Sequence, residues 1–184
     1  MKKVFAGGSR HVTRLNNHMR ERLDNIMEKS LPVVIGDANG ADKAIQQHLH
    51  SRGYRSVEIF CTEGHCRNNI GDWGVRAVRA ETRERNFRFY SAKDRLMAEE
   101  ATVGFMLWDG KSIGTLMNVF RLLRLQKKVV VYTVPIKSFQ ELKTLGDWDD
   151  FLAHGGLGLR DKVEQRATLE APERRSPIQA VLSV

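Results

Sequence analysis

Apolar residues in this chain fall into short continuous runs that alternate with stretches of helical spacing. Lys3-Val4-Phe5-Ala6 reads as a first strand ending in Gly7-Gly8-Ser9-Arg10. Leu15, Met19, Leu23, Ile26 and Met27 then recur at helical intervals, which predicts a helix capped by Thr13 and running to Glu28. Leu31 to Ile35 is a second strand, bounded by Gly36-Asp37-Ala38-Asn39-Gly40. Ala41, Ala44, Ile45 and Leu49 mark the inner face of a helix from Ala41 to Ser51, which Gly53 stops. Val57 to Cys61 is a third strand.

Residues 62–86 break the pattern. Gly64, Gly71 and Gly74 interrupt them, and arginines crowd 76–88, so the segment reads as a long, basic, partly mobile loop. Ser91 then caps a helix from Ala92 to Ala101. Val103 to Trp108 has the apolar continuity of a central parallel strand, and Leu116 to Leu125 repeats apolar residues at helical spacing. Lys128 to Thr133 is expected to be the last strand. Phe139, Leu142, Leu145, Trp148 and Phe151 suggest packing residues of one or two short helices within 135–152. From 156 onward the chain reads as a poorly ordered tail or a docking arm, which puts an α/β domain at 1–153 and a tail at 154–184.

Repeated alternation of strand and helix predicts an α/β fold of three layers, a Rossmann-like parallel sheet flanked by helices. In such sheets ligands bind beyond the carboxyl ends of the strands. Three glycine-bearing turns fall there, at 7–10, 36–40 and 109–115.

The turn at 109–115 carries the most chemistry. Asp109, Gly110, Lys111, Ser112, Gly114 and Thr115 lie between a core strand and a helix start, where free amides and the helix dipole attract anions. In the first turn Gly7 and Gly8 allow close backbone approach, Ser9 supplies a hydroxyl, and Arg10 a guanidinium suited to phosphate. The second turn offers Gly36, Asp37, Asn39, Gly40 and Asp42; either Asp37 or Asp42 takes ribose hydroxyls, or Asn39 or Asp37 caps the following helix. The spacing matches neither a dinucleotide fingerprint nor a Walker loop.

Composition trims the possibilities. With 41% hydrophobic and 28% charged residues, 184 residues suit one globular domain, and no apolar run approaches a membrane span. No signal peptide is expected. Cys61 and Cys66 read as two partly buried thiols, pointing to a reducing cytoplasm. With His65 they still lack a fourth ligand and a zinc rhythm, so neither metal nor cofactor is expected. The net charge of +8 is spread along the chain, which favours a solvated basic surface over a dedicated nucleic-acid face. Trp73 either stacks on a base or is buried; burial is expected for Trp108, and no role for His11.

With the three turns placed, the chain resembles the SLOG superfamily, the Rossmann-like group that includes DprA, the LOG phosphoribohydrolases and YpsA-type proteins, and within it a divergent LOG-like member. The resemblance runs from Val4 to Tyr132 and rests on Gly7-Gly8-Ser9-Arg10, Gly36 with Gly40-Ala41-Asp42, and Lys93-Asp94-Arg95-Leu96-Met97-Ala98 paired with Gly110, Gly114 and Thr115. It implies a nucleotide-derived small-molecule ligand over the sheet's carboxyl edge and a homodimer. It also implies that Lys93 stands where LOG enzymes carry a catalytic arginine and Asn118 where they carry a glutamate. An amide replaces neither nucleophile nor general acid. The expectation is therefore a nucleotide sensor or binding protein. An N-glycosidic hydrolase or transferase using Lys93, Asp94 and Asn118 is the alternative, with Asp109 and Glu99 or Glu100 as further carboxylates. Single-stranded DNA binding through the basic residues of 76–88 is a third reading.

Overall fold

A computed structural model describes residues 2–80, 82, 87–156 and 158–169. Among these residues the chain forms strands β1 (Val4–Gly8), β2 (Val33–Gly36), β3 (Val57–Thr62), β4 (Gly74–Val78), β5 (Val103–Trp108), β6 (Lys128–Thr133) and β7 (Ser138–Leu142). The helices are α1 (Asn17–Glu28), α2 (Ala41–Ser51), α3 (Phe87–Glu100), α4 (Ile113–Arg124), α5 (Leu145–His154) and α6 (Leu159–Thr168). The sheet order is β4-β3-β2-β1-β5-β6-β7, with every neighbouring pair parallel except β6 and β7. The expected three-layer α/β class is what the chain adopts, with one antiparallel edge.

The central strands are apolar on both faces because helices cover both. Val4 and Ala6, Val33 and Ile35, and Phe105 and Leu107 face α1 and α2. Phe5, Val34, Met106 and Trp108 face the other way, toward the layer of α3 to α6. Strands buried on both sides lose the polar–apolar alternation of an exposed sheet, hence their continuous hydrophobic runs.

Several expectations are corrected. The cap of α1 is Asn16, whose side chain accepts from the Met19 amide, and not Thr13; Asn16 also donates to the Tyr132 hydroxyl at 2.7 Å. Ser91 is not a cap but a buried position inside α3, where its hydroxyl accepts from Arg95. The segment 62–86 contains β4, an edge strand whose first four residues are exposed. Residues 81 and 83–86 of that segment lie outside the described residues. Lys128–Thr133 is followed by a further strand, because β7 returns antiparallel beside it where a helix was expected. Within the stretch read as a tail, α6 packs on α4 and buries Leu159 and Val163; the remainder, 170–184, lies outside the described residues. Among the described residues no helix is long and apolar enough to cross a membrane.

Candidate functional site

Strand order creates the site. The chain proceeds outward from β1 through β2 and β3 to β4, then crosses back through α3 to place β5 on the other side of β1. The loops leaving β1 and β5 therefore diverge, and a crevice opens between them at their carboxyl ends. A cavity of about 670 Å³ occupies it, walled by the turns at 7–10 and 109–115, by Asp42 of α2, and by Lys93 and Asp94 of α3.

The β1 turn is bound tightly to its surroundings. A Cβ on Gly8 would collide with the Leu107 carbonyl of β5, so glycine is required by strand packing. Ser9 is fully buried: its amide donates to Leu107 O at 2.9 Å, and its carbonyl accepts from Val12 and Ala41. Its hydroxyl accepts from the His11 amide and donates to Asp109. Ser9, read from the sequence as a ligand hydroxyl, thus knits β1, α2 and the 109–115 turn together. Arg10 lines the cavity, exposed and without a carboxylate partner among the described residues.

The turn after β5 also spends much of its own chemistry. Partial burial works against the Asp109 carboxylate, but the Ser112 and Lys111 amides, at 2.8 and 3.0 Å, and the Ser9 hydroxyl hold its pKa below the ordinary value. Those two amides, expected to face a phosphate, are already satisfied. Ser112 caps α4 through the Thr115 amide and also accepts from the Thr115 hydroxyl at 3.0 Å. What remains toward the cavity are the amides of Ile113 and Gly114, which have no protein acceptor among the described residues, and the unpaired ammonium of Lys111. Space above Gly114 is open. Gly110, with φ +84°, forms the turn against Pro135 and stands outside the lining.

Behind the cavity lies a buried charge cluster. The Lys93 ammonium is 3.3 Å from Asp37 and 3.5 Å from Asp94. Burial opposes its charge, yet the Asp94, Asp42 and Asp37 carboxylates outweigh that and raise its pKa. Asp42 accepts from the Ala38 amide at 3.1 Å; burial pushes its carboxyl up to about 6 against the pull of Lys93, with Asp94 adding to the rise. Asp37 goes the other way. Despite burial, the Arg67 guanidinium, Lys93 and the Arg67 amide bring it down to about 2. Read as a ribose ligand, Asp37 is instead committed to Arg67 and Lys93.

The second turn supports this cluster. A Cβ on Gly36 would strike the Lys93 ammonium and the Asp42 carboxylate, and one on Gly40, where φ is +84°, would strike the Arg10 backbone. Asn39 accepts from Asn68 and does not cap α2, whose N-cap is Gly40, a residue with no side chain to cap it. Gly36, Asn39 and Gly40 lie outside the cavity wall, whereas Gly7, Asp42, Lys93, Asp94 and Asn118 belong to it. Asn118 is buried and accepts from Arg121, which also stands 4.0 Å from Asp94.

Sequence reasoning missed Arg67 and Tyr90, both on the cavity wall, and His11 beside Arg10. Arg67 sits 30 residues from Asp37, and no periodic signal links the two. Trp73 is buried, donates to Tyr54 O and meets His50 edge-on, so it offers no face to a base; Trp108 is buried against Phe151. The two cysteines are not free: Cys61 and Cys66 form a disulfide with Cα atoms 5.1 Å apart. Glu63 and Gly64, both at positive φ, fold the chain back on the end of β3 and bring them together. The inference from free thiols to a reducing compartment falls away with them. Among the described residues no group of three or more His, Cys, Asp or Glu is placed to hold a metal.

No protein-family model and no curated protein matches the chain. Among solved structures it is similar to DNA processing protein A from Helicobacter pylori, described for a unique single-stranded DNA binding mode. That likeness has a TM-score of 0.56 at 15% sequence identity and covers 91% of this chain and 80% of that one. At this identity the likeness establishes the fold.

Proposed function

We propose that the chain binds a nucleotide-derived small molecule, its phosphate seated at the start of α4 in the switch-point cavity. The observation that carries this is a set of unspent donors on one wall. The Ile113 and Gly114 amides lie at the positive end of the α4 dipole, with Lys111 and Arg10, unpaired among the described residues, beside them. Ser9, Asp109, Ser112 and Thr115 are engaged with one another or with turn amides, so the cradle stands preorganised for an anion.

Holding rather than cleaving is the reading the site favours. N-glycosidic cleavage needs a carboxylate at the reacting carbon. Position 118 supplies an amide already bonded to Arg121, and the carboxylates on the wall are tied to Lys93 or to turn amides. Release of free base from nucleoside monophosphates would overturn this part of the reading.

Mass spectrometry of small molecules released from the purified protein, followed by calorimetric titration with a nucleotide panel, tests the proposal. Lys111→Ala and Arg10→Ala should each weaken binding roughly five- to tenfold without lowering stability, since each removes one charge-assisted contact. Absence of binding across nucleotides, cyclic dinucleotides and ADP-ribose derivatives defeats it.

A second reading, single-stranded DNA binding, is favoured by the net charge of +8 and by what the similar solved structure is described as doing. A phosphodiester presents the same anion to the α4 cradle. Arg76, one of the basic residues of 76–88, is engaged with Glu58 and Glu100 and contributes little. Binding to an oligodeoxythymidine that falls steeply with salt would establish this reading over the first.

A further inference from the structure

A second cavity of about 700 Å³ adjoins the first, beyond the carboxyl ends of β2, β3 and β4. The two share Arg67 and Tyr90 as a common wall. Thr62 lines it, and the Thr62 hydroxyl, on a residue only 7% exposed, has no hydrogen-bond partner among the described residues. A buried hydroxyl left unsatisfied weakens the fold, so a ligand that pairs with it recovers that loss. Above it Tyr90 is 40% exposed, with the Arg67 guanidinium 5.5 Å from its ring centre and Phe89 edge-on at 5.1 Å. Arg79 lines the same cavity, exposed and unpaired among the described residues.

We infer that this second cavity is a nucleobase subsite continuous with the phosphate cradle, and that the ligand is a phosphate-linked dinucleotide. The inference rests on the nucleotide-binding reading above and extends it. A base has a π-face for Tyr90 and a polar edge for the Thr62 hydroxyl, which donates or accepts as required. Arg79 supplies charge for the linking phosphate. One nucleoside unit fills the first cavity with its phosphate on Ile113, Gly114 and Lys111, and the second unit crosses the Arg67–Tyr90 wall. Cavities of a few hundred to a thousand Å³ each hold one drug-sized group, so the pair exceeds the need of a mononucleotide.

The test is calorimetric titration of the full chain with adenosine monophosphate, 5′-phosphorylated diadenylate and a ten-residue oligodeoxythymidine, in wild type, Tyr90→Ala and Thr62→Val. The diadenylate should bind at least roughly tenfold tighter than the mononucleotide, the size of one base–aromatic stack. Thr62→Val, which lies in the second cavity alone, should reduce that advantage and leave mononucleotide affinity unchanged, and Tyr90→Ala, on the wall common to both cavities, should cost the diadenylate more than the mononucleotide. Both variants should fold: Tyr90 is partly exposed, and Thr62→Val removes only an unpaired hydroxyl. Equal affinity for mono- and dinucleotide, or an equal loss for both in Tyr90→Ala, overturns the second subsite while leaving the cradle intact. Failure of all three probes to bind removes the cradle and the subsite together. An oligodeoxythymidine that outbinds the diadenylate by more than tenfold overturns the small-molecule ligand in favour of a strand.

Discussion

Replacing Asp42 with asparagine should make this protein more stable at pH 8, although the change removes a carboxylate from beside a lysine. The reason lies in the shift of Asp42 from 3.8 to about 6 on folding, caused by burial and by Asp94 and only partly offset by Lys93. A rise of that size corresponds to about 3 kcal/mol between the two protonation states. The folded chain holds the Asp42 proton more tightly than the unfolded chain. Between about pH 4 and 6 it therefore binds more protons, and stability falls as pH rises through that window. Above about pH 6 the whole penalty is present. Asparagine keeps the neutral shape and an oxygen for the Ala38 amide, but its own N–H groups need acceptors, which takes back about 1 kcal/mol. Asp42→Asn should accordingly gain about 2 kcal/mol at pH 8 and almost nothing at pH 4.5, or roughly 4–8 °C in melting temperature at the higher pH. Urea denaturation at both pH values, with the disulfide intact and the slope unchanged, measures it. A variant less stable than wild type at pH 8, or one whose difference is the same at both pH values, refutes the assignment of the penalty to Asp42.

Other perturbations follow from single features. Gly40→Ala should cost more than about 2 kcal/mol in chemical denaturation, since φ is +84° and the new Cβ would meet the Arg10 backbone. Reducing the Cys61–Cys66 disulfide, which closes a loop of sequence separation 5, should lower stability by about 2 kcal/mol, read as a shift in urea midpoint with and without reductant. Thr133→Val should be neutral or stabilising by about 1 kcal/mol in a thermal melt, because the Thr133 hydroxyl is buried and has no partner among the described residues. As pH falls from about 4 toward 2, stability should drop as Asp37 protonates, for its folded pKa of about 2 lies below 3.8 and its contribution is lost across that interval; Asp37→Asn should flatten this limb in an acid titration followed by circular dichroism.

The legibility of the sequence depended on how many faces of an element are buried. β1, β5 and β6 are covered on both sides, so their apolar runs were unmistakable. β4 exposes its first four residues, including Val75 at 48%, and leaves no pattern beyond a glycine and scattered arginines. At β7 the residues misled: Phe139, Leu142 and Leu145 recur at three-residue steps as on a helix, but Lys137 at positive φ turns the chain back antiparallel to β6. Two anchors four residues apart, Leu159 and Val163, hold α6 and are too few to stand out in a charged stretch. For the candidate site, the glycine turns were visible because strand ends announce themselves. The partners of their polar groups were not, since Asp37 finds Arg67 and Lys93 from segments 30 and 56 residues away.

Those hidden partners decide what the site has left to offer. Ser9, Asp37, Asp109, Ser112 and Thr115 all satisfy one another or the backbone, and need no ligand to be folded. A ligand gains binding energy only from donors that are still unspent, because exchanging one good hydrogen bond for another yields little. In the first cavity, among the described residues, these include two amides and two cations, a set suited to one phosphate and blind to what the phosphate carries. Discrimination among phosphate-bearing ligands therefore has to come from elsewhere along the carboxyl edge. Among the described residues the groups there that a ligand could still engage include the Thr62 hydroxyl, the exposed part of Tyr90 and Arg79, all in the second cavity. On the proposed reading affinity and specificity are separated in space, and inorganic phosphate should compete with a mononucleotide for the first cavity without reproducing the contacts of the second.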